Sequence, residues 1–357
     1  MRIIQIIDSL EPGGAERMAV HYANALAARI EFSGLVVTRK EGELDSQIDA
    51  KVSYLYLNKK KTVDFKALFV LRNYVRQHNV TIVHAHSSSF FLAFLLKVTM
   101  PSLKLIWHDH YGNSDFLSKR PLGILRIILP FFNGIIAVNQ KLKNWAEVRL
   151  KSSNVIYLPN FPSEENTVSE HTILKGIEGK RIVCIANLRE QKDHFTLLRV
   201  AEKLKVHDAD WTFHLIGKDF GDDYSNKIKA LIIEFDLEKN VFLYGSKLDI
   251  KNILDQSTLA VLNSKSEGLP VALLEYGWHK KPIVVTNVGE IATLVEDGKN
   301  GFVIPALQVD LFYTALITLV ENDALKADFG QALYASVVEK NSKHVVVNQY
   351  LNWLETI

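Results

Sequence analysis

Short runs of β-branched and apolar residues recur along this chain with helix-length segments between them, and the pattern plays out twice. The first set occupies residues 3–8, 32–38, 52–57, 82–86, 103–108, 134–138 and 155–158; the second occupies 181–186, 211–216, 241–244, 259–263, 283–286 and 301–304. Strands spaced so far apart must return by crossovers, which makes the sheets parallel and buries them on both faces. A chain of 357 residues exceeds one compact core, so two doubly wound α/β domains are expected. The polar stretch 160–170, poor in large apolar residues, reads as the joint. The division predicted is 1–160, a linker at 161–179, a second domain at 180–340 and a closing helix at 341–357 that carries Tyr350, Leu351, Trp353 and Leu354.

Ligands of such sheets sit outside the carboxyl ends of the strands. The informative segment at such an end is Ser264-Lys265-Ser266-Glu267-Gly268-Leu269-Pro270, followed by Val271-Ala272-Leu273-Leu274-Glu275. Gly268 and Pro270 mark a turn, the apolar run opens a helix, and Glu275 is expected about two turns beyond Glu267, farther inside. Free amides at a helix start favour an anion such as a diphosphate. The two carboxylates could then accept hydrogen bonds from sugar and ribose hydroxyls. The plain alternative is a pair of solvated surface glutamates.

This SxSEGLPxxxLE pattern, with Pro282-Ile283-Val284-Val285-Thr286 and Val288-Gly289-Glu290 after it, resembles the E-x7-E region of the retaining family 4 glycosyltransferases. The resemblance implies a GT-B architecture, in which two Rossmann-like domains face each other across a cleft and the last helix returns to the N-terminal, acceptor-binding domain. It places Glu267 on the donor sugar, the Gly268 and Leu269 amides in the Pro270 turn on the diphosphate, and Glu275 on the ribose. Lys192, in the loop 186–194, falls on the family's phosphate-neutralising lysine. The family's arginine position is Asn187, with Arg189 two residues on as the candidate to take its place. The Gly13-Gly14 pair after the first strand matches the glycine loop that meets the donor, and its amides lack a Cβ to block an approaching anion or sugar. His108 corresponds to a histidine near the donor sugar, with Asp109, His110 and Tyr111 toward the acceptor. The pattern departs from the family at Gly289-Glu290-Ile291-Ala292-Thr293, where Gly-Gly-x-x-Glu is common, and at Lys281, where a small residue is common.

A net charge of +2 argues against a nucleic-acid partner. The single cysteine, Cys184, lies in an apolar strand and excludes an intramolecular disulfide framework. Met1 runs straight into a strand without a basic n-region, which points to a cytoplasmic protein. The apolar stretches 90–100 and 122–132 fall short of the roughly 20 residues a membrane span needs. The second, beside Lys119, Arg120 and Arg126, has the composition of a peripheral membrane contact; a buried helix with a basic edge is the alternative. The pairs His84/His86 and His108/His110 lack supporting cysteine or acidic ligand spacing, so no metal is expected, and no other cofactor is implied.

The expected activity is retaining transfer of a sugar from a nucleoside diphosphate sugar to a hydroxyl of a saccharide or lipid-linked acceptor, as in surface polysaccharide or glycolipid synthesis. The resemblance implies a front-face mechanism without a protein nucleophile, with electrostatic stabilisation of the leaving phosphates as the main catalytic effect. A sugar-nucleotide epimerase of the same architecture and a non-catalytic nucleotide-sugar-binding subunit are the competing readings.

Overall fold

The computed structural model describes residues 1–112, 117–118, 120–163 and 171–357. It divides into two compact units, Met1–Ser163 with Lys343–Ile357, and Glu164–Ser342.

In the first unit the strands are β1 (Arg2–Ser9), β2 (Phe32–Lys40), β3 (Ser53–Tyr56), β4 (Ile82–His86), β5 (Lys104–Asp109), β6 (Gly134–Ala137) and β7 (Val155–Tyr157). They form one parallel sheet in the order β3-β2-β1-β4-β5-β6-β7. Between them run α1 (Gly14–Ala27), α2 (Phe65–Gln77), α3 (Phe90–Thr99), α4 (Gly123–Ile128) and α5 (Gln140–Arg149). Alternation along β1 sends Ile4 and Ile6 into a cluster with Leu71 and Val75 of α2 and Leu92 and Leu96 of α3. Gln5, between them, points to the other face and meets His86 of β4.

The second unit repeats the plan with β8 (Arg181–Ile185), β9 (Thr212–Ile216), β10 (Val241–Leu243), β11 (Leu259–Leu262), β12 (Ile283–Thr286) and β13 (Phe302–Ile304), ordered β10-β9-β8-β11-β12-β13. Its helices are α6 (His194–His207), α7 (Asp223–Glu234), α8 (Ile250–Asp255), α9 (Val271–Trp278), α10 (Ile291–Leu294), α11 (Val309–Val320) and α12 (Asp323–Asn341). Ile182, Cys184, Val261 and Val284 face α6 and α11, whereas Val183, Ala260, Leu262 and Val285 face α8 and α9. The sheet is thus covered on both sides, which is why its strands read as continuous apolar runs. Cys184 is core, its thiol pushed up to about 12 by burial.

The closing helix, α13 (Lys343–Glu355), belongs to the first unit. Tyr350 is fully buried against Tyr22 and His84. A Cβ on Gly134 would stand 2.6 Å from the Trp353 ring, so only glycine lets β6 and α13 approach this closely. The stretch read as a linker over 161–179 is packed at both described ends. Phe161 is buried against Tyr22 in the first unit, and Thr172 and Leu174 are buried in the second, where Asp249 accepts from both the amide and the hydroxyl of Thr172. Residues 164–170 lie outside the described residues.

Candidate active site

The order of the second sheet reverses between β8 and β11, with β9 and β10 on one side and β12 and β13 on the other. Loops leaving the two central strands diverge at such a point and leave a crevice at the carboxyl edge. The β8 loop brings Asn187, Arg189 and Lys192; the β11 loop brings Glu267, Gly268, Leu269 and Pro270. Two hydrogen bonds hold the loops together, the main-chain Lys265 N donating to Gln191 O at 2.7 Å and the side-chain Asn263 Nδ2 donating to Asp193 O at 2.5 Å. Across this seam the Lys192 ammonium forms an ion pair with Glu267 Oε1, to which Ser264 Oγ also donates at 2.6 Å. Both charged side chains are largely withdrawn from water, 17% and 7% exposed, so their mutual field is weakly screened.

The Glu267 peptide is fixed from behind. Gly289 has φ +59°, and a Cβ there would lie 2.3 Å from Glu267 O, so this position requires glycine both for its backbone angle and for the close approach. Glu290 N donates to Gly268 O at 3.0 Å, and Thr286 Oγ1 donates to Ser264 O at 2.7 Å. The turn then enters α9, with Pro270 as the residue before its first turn and no side-chain cap on its first amides. Glu275 lies in the middle of α9.

Two expectations about this segment change. Glu267 sits on the loop before α9, as expected, but the path to Glu275 is a turn plus about one helical turn instead of two. The carboxylates are also equally buried, 5% exposed each, instead of one at the mouth and one deeper. Neither is a solvated surface glutamate.

Asn187 and Arg189 are held differently from Lys192. Asn187 Oδ1 accepts from the Lys218 amide at 2.8 Å, joining the β8 and β9 loops. Arg189 is exposed, with its guanidinium 4.7 Å from the centre of the Phe220 ring; the Lys218 ammonium is 5.3 Å from the same ring. The β9 loop residues Lys218 and Phe220 escaped the sequence reading, as did Ser264 and the left-handed Asp193, φ +51°, which turns the chain from Lys192 into α6. Ser264 lies inside the quoted motif, but only the structure shows its hydroxyl on Glu267. Buried polar atoms without a hydrogen-bond partner collect at this edge, namely Asp193 Oδ2, His194 Nε2 and Asn263 Oδ1. Burial raises the Asp193 carboxyl above the usual carboxylate range and lowers the His194 imidazole to about 4.

In the first unit the order reverses between β1 and β4. Gly13 is the extended residue before α1, its carbonyl accepting from Arg17 N at 2.9 Å, and the side of Gly14 that would carry a Cβ is open. The register His86↔His108 puts both histidine pairs on one sheet face. His84 Nε2 lies 3.1 Å from His108 Nδ1, His86 Nδ1 lies 3.0 Å from His110 Nε2, and Tyr350 and Gln5 contact the outer nitrogens of His84 and His86. His108 is buried, and its Nε2 has no partner. Contrary to the expectation from spacing alone, His84, His86 and His108 bring three ligand-capable atoms within 4.8 Å of one another. Burial holds all three far below the ordinary histidine range and His110 at about 3, so the imidazoles meet one another as neutral rings.

The basic rim expected beside α4 is also revised. Arg120 is 8% exposed and makes a two-pronged contact with the buried Asp109 at 2.6 and 2.8 Å while stacked on Tyr111 and Trp145. Its guanidinium is engaged inside the unit by Asp109, whereas Arg126 is exposed. Lys119 lies outside the described residues. Among the described residues no helix is long and apolar enough to cross a membrane.

Comparison with known proteins covers both units. Residues 170–335 match the family model Glycosyl transferases group 1, and residues 12–163 match Glycosyltransferase Family 4. A poly(ribitol-phosphate) alpha-N-acetylglucosaminyltransferase of Staphylococcus aureus is 28% identical over 222 residues, 62% of this chain but 43% of that protein. A UDP-Gal:alpha-D-GlcNAc-diphosphoundecaprenol alpha-1,3-galactosyltransferase of Escherichia coli is 22% identical over 344 residues, 90% of this chain and 86% of the relative. The crystal structure of Anabaena HepE in complex with UDP-glucose superposes with a TM-score of 0.80 at 16% identity, covering 100% of both chains. The fold is therefore the two-domain, Rossmann-like GT-B fold.

Proposed function

The chain belongs to the family 4, group 1 glycosyltransferases, and on that premise we propose that it moves a sugar from a nucleoside diphosphate to an acceptor hydroxyl with retention of configuration. The observation that carries this reading is the buried Lys192–Glu267 pair at the reversal point of the second sheet, beside the uncapped start of α9. Breaking the bond from sugar to diphosphate builds charge on the departing phosphate. The Lys192 ammonium and the amides at Gly268 and Leu269 are the groups that would meet it, with Arg189 as a second cation from the same loop. Glu267, on the other side of that ammonium, is assigned to the donor sugar, and Glu275 to the ribose. His108, Gly13 and Gly14 are assigned to the first unit's side of the reaction. No residue is assigned as a nucleophile, and no metal or cofactor is required.

The acceptor proposed is a saccharide, free or lipid-linked, in the synthesis of a surface polysaccharide or glycolipid. The named relatives act on a ribitol-phosphate polymer and on a diphosphoundecaprenol-linked sugar, which supports this class. Incubation with UDP-sugars and saccharide acceptors, followed by NMR of the product, tests the proposal. An α-linked product from an α-linked donor is expected. An isomerised sugar without transfer would instead identify an epimerase, and an inverted linkage would overturn retention.

A further inference from the structure

Helix α2 is built with two opposite faces. Ala67, Leu71, Tyr74 and Val75 are buried under the sheet. On its outer side Phe65 is 78% and Phe69 60% exposed, one helical turn apart, with Val63 at 42% and Val70 at 37% beside them. Two phenylalanines this exposed on neighbouring turns form a patch rather than a scatter of single apolar residues. Lys60, Lys61, Lys66 and Arg76 are exposed around it. Between residues 58 and 77 the only carboxylate is Asp64, which is occupied as the helix cap, accepting from the amides of Ala67 and Lys60 at 3.1 Å each. The charged groups of this segment beside the apolar tips are thus mostly cationic.

The apolar character continues along this face of the sheet. Helix α3 packs beside α2, and the ring of Phe94 in α3 lies 5.0 Å from that of Phe131 after α4, tilted by 60°. Ile127 is 69% and Ile124 50% exposed on α4, next to the exposed Arg126. A protein partner of matching shape would need acidic groups around an apolar pocket. An anionic bilayer supplies both features over any area, with negative headgroups above and hydrocarbon below.

We propose that the outer face of α2 docks the enzyme on an anionic lipid surface, with Phe65 and Phe69 inserted at the headgroup boundary and Lys60, Lys61, Lys66 and Arg76 on the headgroups. This shifts the membrane contact from the segment around Arg120 to α2. It does not rest on the identity of donor or acceptor, because none of these side chains belongs to the candidate active site.

The test is flotation of the full chain with vesicles of phosphatidylcholine alone or mixed with phosphatidylglycerol. Binding is expected only to the anionic vesicles and is expected to weaken as salt rises. Both Phe65→Ser/Phe69→Ser and Lys60→Glu/Lys61→Glu/Lys66→Glu should reduce it at least tenfold. All five positions are exposed, so melting temperature and transfer to a soluble acceptor should stay at the parent values, which separates failure of docking from failure of the enzyme. Absence of vesicle binding, equal binding to both vesicle types, or variants that bind like the parent would overturn the proposal. Concentration-dependent dimerisation abolished by the phenylalanine pair, without vesicle binding, would assign the face to a second copy of the chain instead.

Discussion

Lys192 reaches Glu267 from a different loop, and the two meet largely out of water. Its ammonium is therefore already placed, so the cost of ordering a long side chain is not paid again in the transition state. Lys192→Ala should lower kcat by about 10²–10³, the scale of losing one preorganised donor, while KM changes less; steady-state kinetics with saturating acceptor checks the split. An unchanged kcat with a raised KM would make Lys192 a simple binding residue. Gly289 acts without touching any ligand in this account. Gly289→Ala forces a Cβ to 2.3 Å from Glu267 O at a φ of +59°, which should cost about 1–3 kcal/mol in urea unfolding and weaken nucleotide binding by moving the Glu267 turn. The residues around Glu267 were legible from sequence because a turn followed by an apolar helix start is a local pattern. The contacts of Arg120 and Arg189 were not, since a charged residue's neighbours in sequence do not say whether it will find a buried Asp109 or the ring of Phe220.

At the scale of elements, α9 is anchored from below by Tyr276. Its hydroxyl accepts from Ile185 N at 2.7 Å and donates to Val261 O at 3.4 Å, bridging the two strands whose loops carry the site. Tyr276→Phe leaves a buried amide without its acceptor and should cost about 1–3 kcal/mol in chemical denaturation. An unchanged midpoint would show that the bridge contributes nothing. Strands were the readable elements, because a parallel sheet covered on both faces writes itself as apolar runs. What pattern reading could not supply was the pairing of strands distant in sequence. The register His86↔His108 joins β4 to β5 and turns two unremarkable pairs into one buried histidine cluster. Helix α4 combines both readings of its composition: its apolar residues are divided between a buried side, Leu125 and Ile128, and an exposed side, Ile124 and Ile127, and composition alone does not separate them.

Across the whole molecule, seven buried histidines are held neutral. In the first unit burial lowers His21 to about 4 and His110 to about 3, and holds His84, His86 and His108 well below the usual range; in the second it lowers His194 and His214 to about 4. These groups have native pKa values below their unfolded value of about 6.5, so the unfolded chain binds more protons below that pH. Their stabilising contribution is complete above pH 6.5 and is lost as pH falls toward 4. At pH 5.5 each should already cost about 1 kcal/mol, and urea midpoints should drop steeply between pH 7 and 5. A flat profile over that interval would contradict the burial of neutral imidazoles.

The central claim is that the edge of the second sheet around Lys192, Glu267 and Glu275 binds the diphosphate and ribose of a sugar nucleotide. Calorimetric titration of the purified protein with UDP, GDP, ADP and dTDP in the presence of a chelator tests it most directly. Selective binding of one nucleotide that persists in chelator, and is lost in Glu275→Ala while the variant keeps its melting temperature, is the predicted result. Binding that survives Glu275→Ala unchanged, or no binding to any of the four, would contradict the assignment and favour a subunit whose site is not the one described.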